Sequence, residues 1–224
     1  MPRTRGSSAA STAPRLRAAA LRLFARHGFA AVSMRQIAGE LGLQAGALYR
    51  YTPDKQALLF ELMRDHLADV LAGWATAPRG NGPAGQLAAF VRFHIGFHID
   101  RPEAVFVANM ELRNLSPENF AEVERMRRAY EAELEAILAD GQAAGAFAVP
   151  DLRLATLAVI AMLTGVTAWY REGGRLSRTA VAETYIDMVL RAVAAPGCEA
   201  RGAGEPQAAR AGMGGCSPSG SGQT

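Results

Sequence analysis

The stretch that most restricts what this chain can fold into is residues 33–51, SMRQIAGELGLQAGALYRY. Read as two short helices, it turns Ile37, Ala38, Leu41, Leu43, Leu48 and Tyr51 inward and puts Gly42 at the corner between them. Ala38 is small enough for the second helix to cross close over the first, and Gly42 accepts the positive φ of a sharp corner without a Cβ clash. Ser33, with Gln36 three residues on, forms a capping box that opens the first of these helices. This spacing is the pattern of a helix-turn-helix. Two packed helices of a plain bundle share it, so the rest of the chain has to decide.

Charge is the first discriminator. Residues 1–55 carry nine basic groups (Arg3, Arg5, Arg15, Arg17, Arg22, Arg26, Arg35, Arg50 and Lys55) against the two acids Glu40 and Asp54, an excess of seven. The whole chain is only +3, so the remainder is net acidic. A basic segment coinciding with a helix-turn-helix is what phosphate neutralisation on DNA requires. The chain is long enough to bury a sizeable core, is half apolar but only 7% aromatic, and is rich in Ala and Leu, which favours closely packed helices.

The rest of the chain predicts an all-α fold. Residues 1–13 form a polar arm expected to be disordered. A first helix is predicted from Pro14 to His27, closed by Gly28. The second opens at Ser33 and the recognition helix runs over Gln44–Tyr51, with Pro53 limiting it. A long helix over Asp54–Trp74 is followed by a loop at 77–85, then helices over Gln86–Asp100, Glu103–Asn114, Ser116–Asp140, Asp151–Tyr170 and Ser177–Val193. The expected organisation is an arm at 1–13, a helix-turn-helix domain at 14–53, a helical domain at 54–195 and a low-complexity tail at 196–224 that is expected to be disordered. Cys198 and Cys216 both fall in that tail, so no disulfide framework is expected and a reducing cytoplasm fits best. No apolar signal-peptide segment opens the chain. The longest uncharged run, Leu154–Tyr170, contains three Thr and a Gly and is predicted to be a buried helix rather than a membrane span.

Residues 15–59, RLRAAALRLFARHGFAAVSMRQIAGELGLQAGALYRYTPDKQALL, resemble the DNA-binding domain of the tetracycline-repressor (TetR) family, without gaps, through the LFARHG, IAGELGL and GALYRY segments. The resemblance implies a homodimer that places its recognition helices in successive major grooves of a palindromic operator, and a helical C-terminal domain that binds a small-molecule effector. It carries over DNA contacts to Ser33 and Arg35, to Ala45, Gly46 and Ala47 at the start of the recognition helix, to Tyr49 and Tyr51, and to Lys55 as a phosphate clamp. The chain departs from the family pattern at Gln44-Ala45, where Ser-Lys is usual, at Ala47 in place of Thr, and at Thr52 in place of Phe. Base reading is therefore expected to fall on Arg35, Gln44 and Tyr49, with the Ala methyls left for thymine contacts.

Residues 111–131 and 164–177 are similar to a subgroup of these regulators that controls fatty-acid, steroid or aromatic-acid catabolism and often responds to acyl-CoA thioesters. A large anionic ligand needs an apolar channel with Arg, for which Arg113, Arg127 and Arg128 are candidates. The expected ligand-binding residues are Phe90, His94, Phe97, His98, Met110, Arg113, Tyr130, Met162 and Trp169; Phe93, Phe106, Asn109 and Glu111 are further candidates, with plain core packing as the alternative for the apolar ones. His94 and His98 lie four apart on one helical face, a spacing that can chelate a metal, but no acidic or Cys partner accompanies them and no metal or other cofactor is expected. The last two helices carry apolar stripes, Leu157, Ile160, Ala161, Thr164 and Ala168 on one and Val181, Tyr185, Met188, Val189 and Ala192 on the other, expected to form a four-helix dimer interface. The expected function is ligand-responsive transcriptional repression. Control of a multidrug efflux gene by cationic or aromatic compounds is the alternative, and no nucleophile–base set or carboxylate pair marks an enzyme.

Overall fold

The computed structural model describes residues 9–195, which run in order through α1 (Ala9–His27), α2 (Met34–Glu40), α3 (Ala45–Leu48), α4 (Lys55–Thr76), α5 (Gly82–Ile99), α6 (Pro102–Met110), a 3-10 turn over Leu112–Asn114, α7 (Pro117–Ala143), α8 (Leu152–Thr164), α9 (Val166–Trp169) and α10 (Arg178–Val193). No β-strand occurs among the described residues, and the fold is all-α. An isolated bridge from Phe147 to Ala194 ties the α7–α8 connection to the end of α10. Residues 1–8 and the 196–224 tail lie outside the described residues, so the expected disorder there, and Arg3, Arg5, Cys198 and Cys216, go with them.

Local chemistry explains most of the boundaries. Ser33 accepts from the Gln36 amide while the Gln36 side chain accepts from the Ser33 amide, closing the capping box. Asp54, Ser116, Asp151 and Ser177 accept from the amides of Ala57, Asn119, Leu154 and Ala180 at the starts of α4, α7, α8 and α10. Gly42 has φ 67°, as the helix-turn-helix corner demands. Gly141 answers a different need: a Cβ there would lie 1.9 Å from the Phe147 ring, so only glycine lets the chain fold back under α7.

Several boundaries differ from those expected. α1 starts at Ala9, so residues 9–13 are helical rather than part of a disordered arm, and Pro14 sits inside the helix. α3 is one helical turn, Ala45–Leu48, followed by turn residues at 49–51. α5 begins at Gly82 after the Asn81 N-cap, shortening the expected loop. α6 stops at Met110, and the apolar run of 154–170 is broken at Gly165 into α8 and α9.

Two hydrophobic cores divide the molecule, and the head core extends past residue 53. The head core joins Leu16, Phe24, Ile37, Ala38 and Leu48 to Leu58, Leu59, Met63 and Leu67 of α4 and to Val107 of α6 and Val123 of α7. The body core begins further along the same α4, at Val70 and Trp74, and takes in α5, α7, α8, α9 and α10. α4 is thus shared end to end, and the head is packed directly on α6 and α7.

Candidate functional site

The head presents a basic, open face. Ser33, Arg35, Gln44, Gly46 and Tyr49 are exposed, Tyr49 by 55%, while Ala45, Ala47 and Tyr51 are half-buried. Gln44 makes no side-chain cap to α3, as expected where Ser-Lys is replaced by Gln-Ala. The Ser33 amide and hydroxyl both donate to Gln36 Oε1 within the capping box. Lys55 is turned inward. Its ammonium donates to the carbonyls of Phe29 (2.8 Å) and Val32 (2.7 Å) and lies 4.1 Å from the centroid of the Phe29 ring. Partial burial draws its pKa below the usual Lys range, against the nearby Glu111 carboxylate, which raises it. Two of its three donors are occupied by the chain itself.

The same Phe29 loop is held from the body. The Phe29 amide donates to Glu111 Oε1 (3.1 Å), and Asn114 Nδ2 donates to Glu111 Oε2 (2.5 Å). Glu111, placed among the ligand candidates by its apolar surroundings, is 6% exposed and faces the head instead. It follows α6 directly, so α6 and the α1–α2 loop share one hydrogen-bonded joint. Glu111→Ala should leave the half-buried Phe29 N–H without its acceptor, a loss of about 1 kcal/mol locally. Amide hydrogen exchange should report this as a correspondingly raised exchange rate at Phe29, with body-core amides unchanged.

Next to α6 is a cavity of about 800 Å³. It is lined by Ala25 of α1, by Pro102, Glu103, Val105, Phe106, Asn109 and Met110 of α6, by Arg127 and Glu131 of α7, and by α8–α9 residues from Leu157 to Ala168, with Arg171. That volume is in the range of small-molecule sites, and its wall is mainly apolar with a few fixed polar groups. Asn109 Nδ2 donates to Val105 O (2.8 Å), and its Oδ1 accepts from Arg127 Nη1 (3.1 Å), which also reaches Ala108 O. Glu131 is held by Arg153. A smaller chamber of about 50 Å³ adjoins it, sharing Asn109, Arg127, Glu131, Ile160 and Thr164 and adding His66, Leu67 and Val70 of α4, His94 and His98 of α5, and Tyr130.

The expected ligand residues divide accordingly. Met110 lines the large cavity, and His94, His98 and Tyr130 the small chamber. Phe90 is fully buried between Trp74 and Tyr130 in the body core, and Phe97 packs on the rings of His66 and His98 without lining either space. Met162 packs against the body core away from both. Arg113 is exposed on the 3-10 turn, and Arg128 is exposed and paired with Glu124. Trp169, half-exposed, faces Tyr185 and a separate shallow cleft. The α8 stripe expected at a dimer interface also lines the cavity, through Leu157, Ile160, Ala161, Thr164 and Ala168. On α10, Val181 and Val189 are in the body core and Tyr185 packs half-buried against it, leaving Met188 and Ala192 exposed. The run expected to be a buried helix is also largely uncovered: Leu154 is 65% exposed, and less than a quarter of Leu152–Trp169 is buried.

His94 and His98 stack ring on ring at 4.0 Å instead of converging on a common point. Both His94 nitrogens are engaged, Nδ1 with Tyr130 Oη (3.2 Å) and Nε2 with Thr164 Oγ1 (3.1 Å), and His98 Nδ1 donates to His94 O (2.7 Å). Among the described residues no group of three His, Cys, Asp or Glu side chains is arranged to hold a metal. Burial, reinforced by His98, Arg101 and Arg127, pushes the His66 pKa down to about 3. Burial with Arg101 lowers His98 to about 4 against its hydrogen bond to the His94 carbonyl, and burial holds His94 well below its usual value. All three are neutral rings at neutral pH.

The family comparisons agree with this geometry. Residues 16–62 match the profile of bacterial regulatory proteins of the tetR family, and residues 80–193 match a tetracyclin repressor-like C-terminal domain. The chain belongs to the TetR family. TetR proteins are transcriptional regulators that bind operator DNA and small-molecule effectors, not enzymes. The chain is 30% identical to the HTH-type transcriptional repressor KstR2 of Mycolicibacterium smegmatis, over 82% of its own length and 91% of that protein. A tetR-family regulatory protein from Rhodococcus superposes with a TM-score of 0.77 at 30% identity, covering 85% of this chain and 99% of that one. AibR, solved in complex with isovaleryl coenzyme A and operator DNA, shares the fold at 22% identity and a TM-score of 0.68, over 78% of this chain and 97% of its own.

Proposed function

We propose that this TetR-family regulator is a homodimeric, cytoplasmic repressor that binds a palindromic operator and leaves it when an acyl-CoA thioester or related lipid or aromatic-acid metabolite fills the 800 Å³ cavity. The observation that carries this reading is the position of the cavity: one wall is Ala25 of α1, in the head itself, and another is α6, whose next residue, Glu111, holds the Phe29 amide. A ligand there acts on the head at two points without crossing the body. The route to the head therefore runs through α1 and α6 rather than through a swing of α4, which lines only the small chamber. Two-fold DNA binding needs recognition helices roughly 34–36 Å apart, so a few ångström of head movement uncouples one half-site, and the effector works only through its unequal affinity for the two spacings.

The lining favours a thioester over a cationic drug. Phe106 is the only aromatic side chain among the described lining residues, so no aromatic cage is available for a cation, while Arg127 and Arg171 suit carbonyl and phosphate oxygens. Leu154, Leu157, Ala158 and Ala161 on α8, with Met188 on α10, leave an apolar, small-residue face uncovered in one protomer. A second copy packed there accounts for that exposure, with the cavity mouth at the edge of the dimer interface.

On DNA, Arg35, Gln44 and Tyr49 serve as base readers, Gly46 and the Ala45 and Ala47 methyls allow close approach, Tyr51 meets phosphate, and Lys55 works chiefly by fixing the Phe29 loop. Tyr49→Ala should weaken operator binding about tenfold or more, about 1–2 kcal/mol, while thermal stability stays unchanged because the ring is exposed. The experiment that tests the whole reading is a gel-shift on the chain's own upstream region, titrated with octanoyl-CoA and, separately, with a cationic dye. Release by the thioester supports the assignment. Release only by the dye would sink it in favour of efflux control.

A further inference from the structure

The small chamber contains a polar group that the fold does not satisfy. His66 is 7% exposed, and its Nδ1 is fully buried with no hydrogen-bond partner. A native fold rarely keeps such an orphan unless something outside the chain meets it. Phe97 and His98 pack their rings against His66, and His98 is itself oriented by the Nδ1 bond to His94 O. That bond makes His98 Nδ1 the N–H, so the neutral ring presents Nε2 as an acceptor. His94, behind it, is fixed by Tyr130 and Thr164. The chamber is therefore walled by two imidazoles from different helices with unspent hydrogen-bonding capacity, of which His98 is held by the His94 carbonyl. Its volume of about 50 Å³ admits a terminal functional group but nothing the size of a nucleotide.

We propose that the small chamber receives a neutral oxygen function, a hydroxyl or a keto group, carried at the end of the effector farthest from its coenzyme A, with His66 and His98 as the specificity-determining contacts. This rests on the reading of the large cavity as the thioester site, which the chamber extends. The chamber opens from the large cavity beside Arg127 and Asn109, so an acyl group lying in the apolar space reaches it end-on. A hydroxyl suits both rings, accepting from one and donating to the other; a keto oxygen satisfies His66 as donor. A plain methyl end leaves His66 unmet, and a carboxylate end gains no positive imidazole, because the three rings are uncharged and Arg127 is accompanied there by Glu131. A site built to hydrogen-bond a substrate oxygen discriminates strongly against the analogue that lacks it.

Calorimetry with octanoyl-CoA and ω-hydroxyoctanoyl-CoA tests this on the wild type, on His66→Leu, which keeps the volume but not the polarity, and on His66→Asn, whose side-chain amide stands in for Nδ1. The wild type should prefer the hydroxylated thioester by about tenfold, His66→Asn should keep most of that preference, and His66→Leu should lose it. Equal affinity in the wild type, or a preference that survives in His66→Leu, overturns the proposal. If neither thioester binds, the coenzyme A reading falls instead, and the chamber is judged alone by the His66 ring nitrogen resonances of the wild type with benzyl alcohol and with toluene at matched concentration. A shift with the alcohol only supports the chamber assignment; no shift, or the same shift with both, overturns it.

Discussion

Acidification from about pH 7 to about pH 5 should remove up to about 4 kcal/mol of folding stability, seen as a fall in the urea midpoint with an unchanged slope. The cause is the neutral imidazole cluster in the middle of the body. Burial pushes His66 down to about 3 and His98 to about 4 in the folded chain, against the ordinary 6.5 of the unfolded one. Between those values the unfolded chain binds more protons, so stability is complete above pH 6.5 and is lost as the pH falls towards the folded values. Each ring contributes about 1.4 kcal/mol per pH unit over that window, about 2 kcal/mol apiece at pH 5, and His94 acts in the same direction. Staying at or above pH 5 keeps ordinary carboxylates out of the comparison. His66→Asn should flatten the pH slope by one residue's share. A slope equal to the wild type's would mean that His66 ionises in the folded state without penalty.

The second large effect is expected at the far end of α4. Trp74 is 1% exposed, meets the Phe90 ring edge-on at 5.0 Å and donates from Nε1 to Glu133 Oε2 at 3.0 Å, while the Arg79 guanidinium covers its ring at 3.6 Å. Trp74→Ala should cost about 3–5 kcal/mol, the range for truncating a large buried aromatic where the surroundings only partly collapse. Trp74→Phe, which keeps a ring but loses the bond to Glu133, should cost much less. The functional consequence follows from α4 belonging to both cores. Freed at Trp74, α4 would remain attached to the head through Leu58, Leu59 and Met63, so effector binding should suffer far more than operator binding. Denaturant titration of both variants, with a gel-shift on each, checks this, and equal stability of Trp74→Ala and wild type would remove Trp74 as the anchor.

How much of this was legible in the sequence depends on how far apart the partners lie. The Ser33–Gln36 box, the Gly42 corner, the N-caps at Asp54, Ser116, Asp151 and Ser177, and the all-helical fold rest on interactions within a few residues, and the spacing alone exposes them. His94 and His98 are also legible as one helical face. That α4 brings His66 beside them is not, because a helix crossing is decided by side-chain packing between segments almost thirty residues apart. Lys55 illustrates the same limit: its place at the start of α4 suits a phosphate, but spacing gives no sign that two of its donors meet the carbonyls of Phe29 and Val32. Ala25 gave no sign of lining a cavity, since one small apolar residue on a core helix carries no distinguishing pattern.

The sequence by itself determined which segments are helical, where the DNA-reading corner lies and which family the chain resembles, because those depend on local backbone preferences and a contiguous motif. Only the tertiary structure decided what each apolar face meets. Periodicity says that Leu157, Ile160, Ala161, Thr164 and Ala168 share one side of a helix, but core, cavity and partner subunit are equally apolar surroundings, and only the positions of α6 and α7 show that this side lines a cavity. The joint from Glu111 to the Phe29 amide likewise exists only once segments eighty-two residues apart are packed together.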